Sequence, residues 1–282
     1  FIPGQDEMIP DSHVYLLGAP DSEDFSLIDA GLMGKGSYKI QSIQESGVSL
    51  SSIKRVIMTH THLDHIAALP VYIARRRMMK MDPPTIYLPE HAIEGTQRVL
   101  QAFSRLDRGR LPCHLVGIKP GDEVTLSREL AVTAHAMRHT VPAVGYLVWQ
   151  RRRKLKPQFQ DLTGDQIRDL RLAGTEVTVE LRTPRVAYMG DSTIEGLDEC
   201  PEMYDAEVLI LEMTFVARNH RPDKIRKLGH IHLDDIVARR DRFKNNVIIA
   251  GHFSTRYHPQ QAEAMVKKQL PNMLDGRLHL WL

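Results

Sequence analysis

The stretch VIMTHTHLDHIAALP, residues 56–70, sets His60, His62, Asp64 and His65 directly behind an apolar run. Such a run has two readings: a polar turn between strand and helix, or half of a metal site. In an extended chain alternate side chains share a face, so His60 and His62 can grip one ion. Asp64 and His65 follow and can turn toward a second. More candidates stand behind later apolar runs. His139 comes after ELAVTAHAM (129–137), Asp191 after RVAYMG (185–190) and His252 after NVIIAG (246–251). Gly190 and Gly251 sit just before two of them and let the backbone leave a strand sharply. A polar turn explains the first cluster but not three further candidate ligands at strand ends. Imidazole and carboxylate without cysteine suit zinc, with manganese, iron or cobalt as substitutes. A set of this size would hold two ions about 3.5–4 Å apart.

Around the cluster, short apolar runs alternate with amphipathic stretches. HVYLLG (13–18), FSLIDAG (25–31), IKRVIMTH (53–60) and TIYLPE (85–90) read as strands. So do ELAVTAHAM, AVGYLVWQ (143–150), EVTVELR (176–182), RVAYMGDS (185–192), VLILEMTF (208–215) and NVIIAGHFS (246–254). SYKIQSIQESG (37–47), IAALPVYIARRRMMK (66–80), EGTQRVLQAFSRL (94–106) and HPQQAEAMVKKQL (258–270) read as helices. Strands in both halves with helices between them predict a layered α/β protein. We read 1–282 as one domain, with the polar stretch 151–174 as an inserted arm holding a helical turn in DQIRDLRLAG.

The 282 residues are 42% hydrophobic and 26% charged with net charge +2, the balance of an ordinary globular chain rather than a nucleic-acid or membrane binder by charge alone. Local basic clusters do stand out at 75–80, 151–156 and 238–244, and each reads first as a solvated face. Cys113 and Cys200 have no metal-ligand spacing and fit a reducing cytoplasm. Residues 1–10 show neither a basic nor an apolar leader segment, and no run approaches the roughly 20 apolar residues of a membrane span. A soluble, cytoplasmic protein is the expectation. The chain starts at Phe1, so a leader ahead of it stays open.

THTHLDH matches the His-x-His-x-Asp-His signature of the metallo-β-lactamase superfamily, and RHTVPAVGY, YMGDS and GHFSTRY resemble its later motifs in order. The resemblance runs over nearly the whole chain. It implies an αββα four-layer sandwich with a two-zinc site at one edge. It also implies that His60, His62 and His139 bind one ion, that Asp64, His65 and His252 bind the other, and that Asp191 bridges. Asp29 of LIDAG resembles the carboxylate that sits behind those ligands in this superfamily.

Such a site makes a metal-bridging hydroxide, oriented by Asp64, and this chemistry serves phosphodiesters, β-lactams, thioesters and lactones alike. Three stretches resemble the ribonuclease Z subgroup. HFSTRY (252–257) offers Ser254, Arg256 and Tyr257 to a substrate phosphate. LEMTF (211–215) supplies Glu212, with Thr214 beside it, and LGHIHLDDIV (228–237) supplies His230. The resemblance implies that His230 protonates the leaving oxygen and that Glu212 orients it, with His232 a lesser candidate. There are departures: Leu211 stands where the subgroup carries His, Ala68 where a Gly usually stands, and DAGLMGKGSYK (29–39) is more like a glyoxalase II start. The expected activity is therefore a ribonuclease Z-like endoribonuclease acting on RNA or another phosphodiester, with transfer-RNA 3′ processing as its task. A carboxylic ester, thioester or lactone hydrolase is the alternative, and a scaffold that merely retains the ligands comes third. A homodimer is implied by the resemblance alone.

Overall fold

The computed structural model describes residues 14–18, 23–31, 36–218 and 222–282. The leader reading of residues 1–10, His13 of HVYLLG and positions 32–35 of DAGLMGKGSYK lie outside them. Among the described residues two sheets form. The first joins β1 (Tyr15–Leu17), β2 (Phe25–Ile28), β3 (Ile53–Ile57), β4 (Thr85–Pro89) and β5 (His114–Ile118) in sequence order. Its first pair is antiparallel and the others parallel. The second holds β6 (Glu123–Thr125), β7 (Leu130–Met137), β8 (Ala143–Leu155), β9 (Thr178–Tyr188), β10 (Val208–Glu212), β11 (Val247–Gly251) and β12 (Leu278–Leu280), again in sequence order across the sheet. It is antiparallel from β6 to β9 and parallel from β9 to β12.

Alternation along each strand divides the core into layers. Ile57 of β3 and Ile210 of β10 face inward and meet Val132, Val144, Tyr146 and Tyr188 between the sheets. Their neighbours Val56 and Met58 face outward, against Ile43, Leu69, Ile73 and Leu100 of helices Gly36–Glu45, Leu69–Met78 and Ile93–Leu106. On the far side Leu209, Leu211, Ile248 and Ala250 pack on Leu197, Ile236, Ala262 and Val266 of helices Ile194–Asp198, Leu233–Ala238 and Pro259–Gln269. The result is the expected αββα sandwich. Because β4, β10 and β11 are parallel strands covered on both faces, they read in sequence as largely apolar runs, whereas β3 carries Lys54 and Arg55 ahead of its buried end.

Several elements differ from the sequence reading. The helix expected over 66–80 is two, Leu63–Ile66 and Leu69–Met78, with Pro70 in the first turn of the second, where its missing N–H costs no bond. EVTVELR and RVAYMGDS are one strand, β9, whose register against β8 shifts beside Pro184. Strand β8 runs on to Leu155 and pairs as far as Leu155↔Thr178, so a β-hairpin extends through RRRKL before helix Gly164–Leu172. That helix starts from a Thr163–Gln166 capping box.

The parallel pairings also bring the strand ends to one edge. Ile28 pairs with Ile57, Ile210 with Tyr188, and Glu212 with Gly251. The residues just past these strands therefore converge: Asp29, Thr59–His60, Asp191, Thr214 and His252. Open α/β sheets place their ligands at this carboxyl edge.

Candidate metal centre

Asp29 leaves β2 with φ 60° and His252 leaves β11 with φ 57°. A left-handed conformation costs a residue with a Cβ about 1–2 kcal/mol, and strain of this kind collects at functional sites. The sharp exit expected at Gly251 is thus made by His252 itself, whereas Gly190 does take φ 63°.

Asp29 is fully buried, and four donor groups converge on its carboxylate. Oδ1 accepts from Thr59 N–H at 2.8 Å, and Oδ2 from His65 Nδ1–H at 2.9 Å and Tyr188 O–H at 3.2 Å. The Thr59 hydroxyl lies 2.9 Å from Oδ2 and 3.1 Å from Nδ1 of His60. His139 gives its Nδ1–H to the carbonyl of Gly229 at 2.9 Å. Gly229 must be glycine there, since a Cβ would sit 2.7 Å from that ring nitrogen and its φ is +71°.

Tied from behind in this way, the rings turn their other nitrogens inward. His60, His62 and His139 form one group able to hold an ion, and Nε2 of His139 lies 3.1 Å from Nδ1 of His62. Asp64, His65 and His252 form a second group. Between them Asp191 Oδ2 lies 3.4 Å from Nε2 of His252, 3.7 Å from that of His65, 3.8 Å from that of His60 and 4.0 Å from that of His139. A single carboxylate oxygen set among four imidazoles stands where a bridging ligand would stand.

The electrostatics agree. Burial and the neighbouring His65 push His60 down to about 2, while Asp191 opposes them. Burial likewise lowers His139. Against the effect of burial, Asp29 and Asp191 raise His65 well above its ordinary value, and Asp191 and Asp64 raise His252 to about 9. Burial would raise Asp191, but His252, His65 and His60 hold it far below the carboxylate range. Protons on His65 and His252 thus offset the carboxylates where a cation would. The Nε2 atoms of His60 and His65 are buried with no hydrogen-bond partner, a costly state for a polar atom unless something coordinates it. The donors are nitrogen and oxygen with no sulfur, so the residues present fit zinc or a similar divalent ion.

Beside this ring lies a second buried carboxylate. Glu212 accepts from His230 Nδ1–H at 2.9 Å, Ser192 N–H at 2.9 Å, Ile231 N–H at 3.3 Å and the Thr214 hydroxyl. His230 stacks at 5.4 Å on His252 and lies 5.0 Å from His139, so it borders both ligand groups. Glu212 raises its pKa against the effect of burial. His232 is elsewhere engaged: its Nδ1 caps helix Leu233–Ala238 and its Nε2–H binds the Ala217 carbonyl. Ser254 N–H binds the Thr214 carbonyl at 3.0 Å and Tyr257 lies toward Ala217, so the HFSTRY turn is strapped to LEMTF, with Arg256 exposed. The sequence reading passed over Thr59, Tyr188 and Ser192. Thr59 had a signal, a hydroxyl at the buried end of an apolar run, but Tyr188 reads as ordinary core.

Residues 26–253 match the family described as Beta-lactamase superfamily domain. The chain is 36% identical over 225 residues to tRNase Z TRZ1 of Arabidopsis thaliana, a match covering 79% of this chain and 80% of that one. It is 32% identical to the chloroplastic tRNase Z TRZ2 of the same plant, over 77% of this chain and 62% of the relative. The crystal structure of the short form of human tRNase Z superposes with a TM-score of 0.58 at 17% identity, over 94% of this chain and 88% of that one.

Proposed function

The chain belongs to the β-lactamase superfamily and to its ribonuclease Z-like group, and as a metal-dependent hydrolase of that group we propose that it cuts RNA phosphodiesters, with precursor transfer RNA trimmed at its 3′ side as the substrate. The observation that carries this reading is the Glu212–His230 pair beside the ligand ring. A thiolate leaves unaided and carboxylic esters and lactones are limited by attack on the carbonyl, whereas a ribose alkoxide displaced from phosphorus needs a proton. The relatives named tRNase Z support the substrate.

In this reading His60, His62 and His139 on one side and Asp64, His65 and His252 on the other, with Asp191 between them, would hold two zinc ions, which would supply Lewis acidity and a water acidic enough to attack at neutral pH. Asp64 orients that water and takes its proton. His230, held by Glu212, gives a proton to the departing oxygen. Arg256, exposed at the rim, meets substrate phosphate, with Ser254 and Tyr257 bracing its turn. The test is to offer the zinc-loaded protein a precursor transfer RNA, bis(p-nitrophenyl) phosphate and a panel of thioesters and lactones. Hydrolysis of esters with no cleavage of either phosphodiester would replace this reading by the ester-hydrolase one.

Three finer points belong to it. The chain works as one domain, 1–282, whose arm at 151–174 reaches for RNA backbone. It pairs as a homodimer through the apolar face that exposes Leu63, Val99 and Phe103 along a groove of about 550 Å³. Light scattering of Val99→Glu against the parent chain tests this, with a monomer expected for the variant. Finally, no helix among the described residues is long and apolar enough to cross a membrane, and Cys113 and Cys200 are free, which favours a reducing compartment such as the cytoplasm.

A further inference from the structure

A hydroxyl carries a single proton, and this settles how Thr59 is used. A carboxylate can only accept, so the Thr59 hydroxyl, 2.9 Å from Asp29 Oδ2 and 3.1 Å from Oδ1, donates its proton there. Toward His60 it has only lone pairs left, and at 3.1 Å it must accept from Nδ1–H. The proton of His60 is thereby placed on Nδ1, and Nε2 is left bare, facing Asp191. The same logic recurs across the site. The Thr214 hydroxyl donates to Glu212 Oε2, so at 3.0 Å it accepts from Nδ1–H of His252.

We propose that Thr59 is a positioning residue that relays the Asp29 carboxylate to His60, so that one buried carboxylate fixes the tautomer of one ligand in each metal group. His65 takes its instruction directly, through Nδ1–H to Oδ2 at 2.9 Å, and belongs with Asp64 and His252. His60 takes its instruction through the hydroxyl and belongs with His62 and His139. The carboxylate is itself held, by Thr59 N–H and by the Tyr188 hydroxyl at 3.2 Å, so it does not rotate away to one client at the expense of the other. Glu212 and Thr214 make the matching device on the opposite wall, one carboxylate serving His230 directly and His252 through a hydroxyl. Hydrogen bonds that orient a ligand from behind are worth about 10- to 100-fold in metal affinity.

This inference rests on the reading of the site as a metal centre but not on RNA as the substrate. Its first test needs no variant. Long-range proton–nitrogen correlation spectra of the metal-free, ¹⁵N-histidine-labelled protein report which nitrogen of His60 carries hydrogen. A proton on Nδ1 is expected, and one on Nε2 overturns the relay outright. The second test is Thr59→Val, which keeps the shape and removes the hydroxyl. It should let the Nε2–H form of His60 appear and weaken the binding of one zinc equivalent about 10- to 100-fold in a chelator competition. Thr59→Ser, which restores the hydroxyl, should restore both. Unchanged affinity and unchanged tautomer in Thr59→Val would overturn the proposal, as would a Ser variant no better than Val. If the valine variant fails to fold, the spectrum of the parent chain still decides. Zinc binding with the expected tautomer but no RNA cleavage would count against the proposed function and leave the relay standing.

Discussion

At the scale of single residues the proposed division of labour separates His230 from the ligands. It lies next to both ligand groups, yet its Nδ1–H is committed to Glu212. As a general acid it should matter only when the leaving oxygen is poor. His230→Ala is therefore expected to slow RNA cleavage by about 10²–10⁴-fold. With bis(p-nitrophenyl) phosphate, whose leaving group departs as a stable anion, the loss should be less than about tenfold. Comparing kcat on both substrates checks this, and equal losses on the two would point to a role in holding the site rather than in proton transfer. The candidate ligands were legible in the sequence because each stands at the end of an apolar run, and strand ends converge. The support behind them was not. That Thr59 bridges Asp29 and His60 depends on a parallel pairing of β2 with β3 that no local pattern carries. Tyr188 is hidden better still, since its ring serves the core between the sheets while only its hydroxyl reaches Asp29. His232 shows the reverse error of sequence reading. It stands two residues from His230, but the helix it caps engages its Nδ1 and the Ala217 carbonyl its Nε2–H.

Among the elements, the β8–β9 hairpin is where the basic run RRRKLK acquires meaning. Pairing Arg151 with Arg182 across the ladder places both in ion pairs with Glu123, so these two cations are neutralised in place. Arg152, Arg153 and Lys154 are exposed on the same hairpin and carry no ion pair among the described residues. Replacing these three together by Ala should raise KM for RNA and flatten its salt dependence, by about 0.7–0.9 in the log–log slope for each phosphate no longer neutralised. Hydrolysis of bis(p-nitrophenyl) phosphate, too small to reach the hairpin, should not change. A salt slope equal to that of the parent chain would show that the arm does not touch RNA. Arg151→Ala, by contrast, should leave the slope alone and cost stability by less than about 1 kcal/mol, as exposed pairs do. The sequence pattern marked this stretch as polar, but it did not show that the strand continues through it. RRRK shows no alternation because neither face of the hairpin is covered there, although TVELR opposite it still alternates. The short edge strands β6 and β12 escaped for a related reason, having only three residues each in which to show a period.

For the molecule as a whole, pH acts on the metal-free fold through a proton on His252 that the metal-bound fold does not hold. Without metal, His252 is raised to about 9 by Asp191 and Asp64 against the effect of burial. A pKa raised on folding means that the native state holds a proton the unfolded chain releases. That contribution to stability is full below about pH 6.5, the ordinary imidazole value, and is lost as pH rises through 9. His60, pushed down to about 2 by burial and by His65, acts on the other side. It stays neutral in the fold while the unfolded chain takes up a proton below about pH 6.5, so acid destabilises through it. The metal-free protein should therefore lose stability from about pH 6.5 to 9. Zinc must displace the proton of His252 to use its Nε2, so its affinity should rise through the same window, by about tenfold per pH unit for each proton displaced. Ligand binding to the native state adds RT ln(1 + [L]/Kd), which converts that rise into thermal stability. Melting curves at about pH 6, 7.5 and 9, with free zinc held constant by a chelator buffer, measure both effects together. The expected outcome is a gap between the Tm of loaded and metal-free protein that widens steadily with pH. A gap that is the same at all three values would mean that zinc does not compete for the imidazole of His252, and the second ligand group would then have to be drawn without it.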